Sequence, residues 1–512
     1  MSIYLWIILA YLVVLTGFNF YRAKQVKTQE DMMVAGRTLS LWVIVFTLIC
    51  TWIGSGTFIA GAEYAYYAGW SALWMPAGAW VGIAVIYFLA ARIRTFGQFT
   101  VGDILEVRYG KFARLFGAIA LVIAFTTIVA YQFRAGGYIL NVVTDGKISV
   151  DNGQMIAAAF VILFTALGGM MAVAYTDLPN GIIIVLACCL ATPFVVMFAG
   201  GWSHAQDVLP AGHFTAFSQD FGKYPALKAI GYCLSTMLLL MGIQSMYQKF
   251  YAARSAREAK GAVIIWIIGT IVVETIVIVI AVYAASYNME HKLGWDARAM
   301  VLQAARHMVP VWVGVLLLGA ACAVVISTGM NYLLSPSTNI MRDIYQRFIS
   351  PDAPAARMIA YQKVAVVLIG VCAFLMVWVP THFKWNISIL QYSYFAYTMY
   401  GVAITPALLA ALTWKRATRF GGVLSIVTGA LATLFLEFVL PRIAPQIMEA
   451  AAGATGADVF GADPWGIPSI FPAFALSLGA LVIGSWCTPA PGGEELRKIF
   501  PDEKPEAEGK PA

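Results

Sequence analysis

Charge is what this chain has least of. Only 12% of its residues are Asp, Glu, Lys or Arg, where a soluble globular domain carries about 25%. Histidine is scarcer still: His204, His213, His291, His307 and His382 are the full set, and none falls at metal-ligand spacing. No G-x-S-x-G, H-E-x-x-H or P-loop occurs. Gly54-Ser55-Gly56 resembles a piece of a dinucleotide-binding loop, but it follows no strand and opens no soluble helix. These absences exclude the common hydrolase, metalloprotease and nucleotide-binding chemistries. The seven cysteines all lie in or at the end of apolar runs, so no disulfide framework is expected. The first apolar run has no basic segment before it and no small-residue cleavage signal after it, so it reads as a retained span. The longest stretches outside apolar runs, 202–229 and 441–464, are too short for a soluble domain.

What the chain has is apolar length. It is 61% hydrophobic, with a mean hydropathy of +0.78. A helix needs about 20 apolar residues to cross a bilayer. The pattern predicts about thirteen crossings: 3–20, 41–64, 70–91, 115–143, 155–174, 181–199, 230–247, 262–285, 311–334, 359–379, 387–414, 421–440 and 467–486. The expected architecture is an all-α membrane protein with one polytopic domain over 1–488. A tail over 489–512, rich in Pro, Gly, Glu and Lys, is expected to be disordered. With the N-terminus outside, inside segments hold 24 of the 33 Lys and Arg, outside segments 8, and Arg134 sits within a span. That bias predicts an external N-terminus and a cytoplasmic C-terminus, in a plasma membrane or bacterial inner membrane. The net charge of +7 is then cytoplasmic loops facing anionic lipid, and no nucleic-acid partner is expected.

One span is interrupted where it can least tolerate it. Ile53-Gly54-Ser55-Gly56-Thr57 lies in the middle of the second apolar run. Glycines weaken a helix, and a break at membrane depth survives only where the freed backbone lines a protein cavity or binds something. In secondary transporters such breaks offer carbonyls to a coupling cation and helix ends to a solute. The same small residues also fit a close helix-packing face.

Few other residues could carry chemistry. Ser327-Thr328 places two hydroxyls side by side in a span, able to offer hard oxygen ligands or to bond back to their own helix. Charges in spans are functional candidates by default. Arg134 suits a solute or gate contact, or a structural bond to carbonyls or to a carboxylate. Asp177 sits at the inside end of the sixth span, and Glu63 is a further titratable group. Glu274 and Glu437 read as packing or interfacial residues.

Four segments together resemble the solute:sodium symporter family. They are Thr51-Trp52-Ile53-Gly54-Ser55-Gly56-Thr57-Phe58, the run from Thr165 through Gly168-Gly169 to Tyr175-Thr176-Asp177, the run from Gln244 to Arg254, and Val324-Val325-Ile326-Ser327-Thr328 continuing to Tyr345. The third is similar to the family's Q-x-x-x-Q-R-x-x-A-A-K pattern, with Lys249 and Arg254 exchanging the usual basic types. Order and spacing match over about residues 1–440.

The resemblance implies a LeuT-like fold of two inverted five-span repeats, about 41–200 and 226–414, with one extra helix before them and two after. It implies alternating access, Na⁺ as the co-transported ion and a small-molecule solute as partner, in a protein functional as a monomer. Carried over residue by residue, the Na⁺ site takes backbone carbonyls of Cys50, Ile53 and Val324 and hydroxyls of Ser327 and Thr328. Asp177 matches an aspartate on the inward sodium path. Where some members hold a second sodium, this chain has Met330 and Asn331. A thioether is a poor ligand for a hard cation, so one sodium per cycle is expected. Ser55, Thr57, Arg134 and Gln244 are the expected solute contacts. Arg134 falls where sialic-acid-transporting members place a carboxylate-binding arginine, and Thr57 replaces a glutamine of the sugar-binding pattern. An organic acid, amino acid or sialic-acid-like solute is therefore expected. A neutral sugar or polyol, proton coupling through Asp177 or Glu63, and a transporter-like receptor remain alternatives.

Overall fold

A backbone with no water around it must satisfy its own N–H and C=O groups, which favours helices. The computed structural model describes residues 3–24, 28–96, 99–219, 221–383, 388–450, 462–493, 496 and 500, nearly all of them helical. Most of the expected tail, including 501–512, lies outside the described residues. In chain order the main helices are α1 (Ile3–Ala23), α2 (Leu41–Trp52), α3 (Gly61–Ala68), α4 (Trp74–Phe96), α5 (Val101–Tyr109), α6 (Lys111–Val143), α7 (Val150–Phe198) and α8 (Pro225–Gly242). They continue with α9 (Gln244–Ala252), α10 (Ala256–His291), α11 (Val311–Asn339), α12 (Ala355–His382), α13 (Ile389–Ala403), α14 (Thr405–Thr413), α15 (Arg419–Leu434) and α16 (Ile470–Trp486). Among the described residues, eleven helical stretches are long and apolar enough to cross a membrane, and α2 and α16 are apolar but shorter.

Several boundaries differ from the hydropathy reading, each for a local reason. The loop expected between the fifth and sixth spans, near 175–180, is helical, and the 49-residue α7 instead kinks at Gly169, inside the expected fifth span. Gly169 turns there with φ 60°, and the Met32 sulfur occupies the room a Cβ would need. Asp177 consequently lies within a helix. The seventh span, expected to be continuous, breaks at Ile243 (φ −64°, ψ 118°). The Tyr400 hydroxyl bridges this break: it accepts from the Gln244 N–H at 3.0 Å and donates to the Gly242 carbonyl at 2.7 Å. The first break, at Ile53 (φ −69°, ψ 97°), has nearly the same extended geometry. Each of the two expected repeats thus begins with a broken helix.

The two broken helices are also joined by backbone. The Leu39 N–H donates to the Ala252 carbonyl, and the Arg254 N–H donates to the Leu39 carbonyl, both at 3.1 Å. This short parallel bridge ties the segment entering α2 to the end of α9. The bundle interior is built by α11 packed on α6 and α7, while α4 packs on α8 and α10, and α15 on α16.

At the end of the bundle where α5 lies, an ion network joins the halves of the chain. Arg114, at the start of α6, pairs with Asp103 at 2.6 Å, Glu106 at 2.5 Å and Asp343 at 2.6 Å. Thr100 and Asn339 also donate to Asp343, and Arg347 pairs with Glu106. Burial alone would raise the Glu106 carboxyl, but hydrogen bonds and charge from Arg114 and Arg347 outweigh it and hold it below the usual carboxylate range. Such a group contributes stability above its ordinary value and loses it as pH falls through the depressed one.

Two stability outcomes follow. Arg114→Met strands buried carboxylates and should cost about 3–5 kcal/mol, and Asp343→Asn added to it should recover part of that loss. Glu106→Gln should lower the melting temperature near neutrality and flatten its decline towards acid. Thermal unfolding of the detergent-purified protein across pH checks both; an Arg114→Met melting curve that overlays the wild type would show that the network does not hold the halves together.

Candidate functional site

The site grows from the break between α2 and α3. After Trp52 the backbone leaves helical geometry for a few residues and re-enters through a π-helical turn over Gly56–Ala60. Carbonyls near the end of α2 lose their intrahelical partners. Glycine is needed at 54 for close approach: a Cβ there would sit 2.8 Å from the Thr328 methyl and 3.0 Å from the Gln132 amide nitrogen. At 56 a Cβ would run into the Tyr397 hydroxyl.

That approach brings α11 onto the freed carbonyls. The Thr328 hydroxyl lies 3.0 Å from the Cys50 carbonyl oxygen and 3.2 Å from that of Ile53. The Ser327 hydroxyl lies 3.5 Å from the Cys50 oxygen and donates to Asp177. Val324 is fully buried one helical turn before Thr328. Four of the five expected sodium-site residues therefore converge through oxygen atoms. Two hydroxyls and two carbonyls form a hard donor set, suited to a small cation and unsuited to a soft one. As described, the Thr328 hydroxyl donates to the carbonyls; a cation would use the same oxygens through their lone pairs.

Asp177 shares Ser327 with that set. It is fully buried and also accepts from Thr47 at 2.5 Å and from the Asn331 amide at 3.2 Å. The Asn331 amide oxygen in turn accepts from the buried Lys249 ammonium. Positions 330 and 331 thus offer a thioether and an amide already in use.

On the other side of the break lies a cavity of about 20 Å³, room for roughly one water molecule. Trp52, Gly56, Thr57, Glu274, Ile278 and Tyr397 are among its lining residues. Glu274 accepts from the Trp52 indole at 2.9 Å on one oxygen and from the Trp80 indole at 2.9 Å on the other. Thr57 approaches the first oxygen at 3.5 Å. Within the break itself Ser55 is buried, its N–H donating to the Gln132 side-chain oxygen at 3.2 Å. The Ser55 hydroxyl and the Gln132 amide nitrogen are buried without a hydrogen-bond partner among the described residues.

The other two expected solute contacts stand elsewhere. Arg134 pairs with Asp151 and Gln154 and lies over the Tyr138 ring. It is two residues from Gln132, so the two side chains leave α6 on different faces. Gln244 accepts from the Val101 N–H at 2.5 Å and so ties the second break to α5. The sequence marks no site role for Gln132, Thr47 or Tyr397, names Trp52 and Lys249 only as motif members, and gives Glu274 a packing or interfacial role. Glu274 lines the cavity, its carboxylate held by two indoles. Trp52 and Thr57, flanking the break, were the available signal.

Comparison with known proteins agrees with this geometry. The profile of the Sodium:solute symporter family matches residues 32–429. The high-affinity proline transporter PutP of Bacillus subtilis is 25% identical over 454 residues, covering 84% of this chain and 93% of its own length. The high affinity choline transporter 1 of Homo sapiens is 25% identical over 419 residues, covering 78% and 70%. Among solved structures, a substrate-bound, outward-open Na⁺-coupled sialic acid symporter superposes with a TM-score of 0.76 at 16% identity, covering 96% of this chain and 99% of that one. With its broken helices, its oxygen cluster and this match, the chain belongs to the sodium:solute symporter family: it is a membrane transporter of LeuT-like fold that moves a small organic solute together with Na⁺.

Proposed function

We propose that one Na⁺ binds between the first break and α11, on the carbonyls of Cys50, Ile53 and Val324 and the hydroxyls of Ser327 and Thr328, and is carried with an amino-acid-like solute. The observation that carries this reading is the convergence of hydroxyl and carbonyl oxygens at the break, within 3.0–3.5 Å of one another. Asp177, bonded to Ser327, would receive the ion on its inward path. The engagement of Asn331 by Lys249 supports a single sodium per cycle.

Ser55 and Thr57 are proposed solute contacts at the break. Their neighbours, the free Ser55 hydroxyl and Gln132 amide, supply donors for a carboxylate. Arg134, on a different face of α6 from Gln132, is proposed as a carboxylate contact on the solute's way in, where a solute would take the place of the exposed Asp151 before reaching Ser55 and Gln132. Gln244 would act indirectly, by holding the second break. The charge bias supports an external N-terminus and a cytoplasmic C-terminus, and the two matching breaks at Ile53 and Ile243 support repeats over about 41–200 and 226–414, in a protein that we propose works as a monomer.

Ser327→Ala with Thr328→Ala should raise the Na⁺ concentration for half-maximal uptake at least tenfold while leaving expression intact; an unchanged sodium dependence in liposomes would remove the site assignment. Arg134→Lys loses the planar fork that holds a carboxylate, so solute affinity should fall about tenfold, and further in Arg134→Ala. Normal solute binding by Arg134→Ala would make the residue a structural partner of Asp151 alone.

Coupling to one Na⁺ sets the response to voltage. A zwitterion moving with one Na⁺ carries one positive charge, worth roughly 2.3 kcal/mol at 100 mV, and a tenfold sodium gradient adds about 1.4 kcal/mol. Na⁺-dependent inward current on a solid-supported membrane is the expected result. Uptake without current would identify a monoanion, and a reversal potential giving two sodium ions per solute would overturn the stoichiometry.

A further inference from the structure

The buried carboxylates of this protein are treated unequally. Asp103 and Asp343 share Arg114, and Asp463 holds Lys228. Glu274 is 3% exposed, and among the described residues no basic side chain forms an ion pair with it. Its partners are neutral: two indole N–H groups, one on each oxygen, and the Thr57 hydroxyl at the limit of bonding distance. A carboxylate offers about four acceptor sites, so capacity is left on the side that faces the cavity. Ionisable groups within spans are costly and usually serve function.

The surroundings supply the rest of a cation subsite. Trp52 and Tyr397 both line the cavity, with ring centroids 6.2 Å apart, and aromatic faces attract a cation within about 6 Å. Pro76, Met75 and Ile278 complete an apolar wall. The indole bonds fix the carboxylate so that no side-chain ordering is left for the moment of binding. Gly56 and Thr57 carry this cavity to the break, behind which the unpartnered Ser55 hydroxyl and Gln132 amide nitrogen lie beside Gly54 and Thr328. A carboxylate with free acceptor capacity next to two aromatic rings matches a cationic group such as a protonated amine.

We propose that Glu274 is the specificity-determining residue for the solute's protonated amine, and that the protein accepts solutes carrying an amine and rejects amine-free carboxylates and neutral sugars. The proposal rests on the reading of the break as the Na⁺–solute site. The amine donates to the free acceptor sites of Glu274, with Trp52 and Tyr397 beside it, while the solute carboxylate lies towards Ser55 and Gln132. The cavity widens to admit the solute, and Tyr397, packed against Gly56, is the lining residue that must give way.

The test uses the purified full chain with Na⁺, measuring thermal stabilisation by matched probes: L-proline, L-alanine and glycine betaine against cyclopentanecarboxylate, propionate and galactose. Stabilisation by Na⁺ alone, lost in the Ser327→Ala, Thr328→Ala double variant, reports on the ion site independently of any solute. Further Na⁺-dependent stabilisation by L-proline or L-alanine and none by the amine-free partners is the expected result. Glu274→Gln should weaken that solute effect at least tenfold while keeping the response to Na⁺ alone, and Glu274→Asp should restore part of it. If Glu274→Gln does not fold, Trp80→Phe, which frees one carboxylate oxygen, should still discriminate amines. Binding of an amine-free probe as strong as its amine partner overturns the proposal, as does a failure of both amino acids to bind or a Glu274→Gln variant with unaltered affinity. Glycine betaine, which has no N–H, binding as well as L-proline would also overturn the hydrogen-bonded amine. Absence of any response to Na⁺ would instead refute the ion-site reading.

Discussion

The hydroxyl of Thr328 facing the carbonyls of Cys50 and Ile53 is the contact on which the rest of the arrangement depends. A break inside a membrane leaves carbonyls that lipid cannot satisfy. Something polar must reach them, and it must come from another helix. Gly54 makes room for that helix to approach, Ser327 extends the polar surface to Asp177, and Asp177 draws in Thr47 and Asn331. Each polar group is tolerated because the previous one is there. The same oxygens that repair the break are those a small hard cation would take, so structural repair and ion binding compete for one set of atoms.

Polar groups at the break are not equally satisfied. The Cys50 and Ile53 carbonyls are met by the Thr328 hydroxyl of α11. The Ser55 hydroxyl and the Gln132 amide nitrogen, beside Gly54 and Thr328, have no hydrogen-bond partner among the described residues. A half-satisfied polar surface is unfavourable in a closed core, and a solute bearing complementary groups would satisfy it.

Part of this was legible in the amino-acid order and part was not. The first break announces itself through two glycines in a row of β-branched and aromatic residues, and the adjacent hydroxyls of Ser327 and Thr328 stand out in an apolar run. The second break carries no such mark: Gly242-Ile243 is unremarkable, and it is Tyr400, over 150 residues away, that bridges it. Glu274 shares one helical stretch with apolar neighbours, so its role depends on which face meets Trp52 and Trp80, and hydropathy does not report faces. The kink at Gly169 falls inside an expected span because a single positive φ redirects a helix without the polar residues that mark a loop. Long-range hydrogen bonds between side chains are the information that local pattern lacks.

The backbone bridge between Leu39 and the end of α9 has a mechanical consequence. Main-chain bonds do not depend on which side chains are present, so the α2 half-helix and the α9 half-helix are coupled like two spokes on one hub. Neither can tilt alone without breaking that seam. A rearrangement that keeps those bonds moves the second break together with the segment entering α2. Drift in the surrounding side chains would leave the linkage intact, which makes it a durable element of the machine on which solute preference can vary.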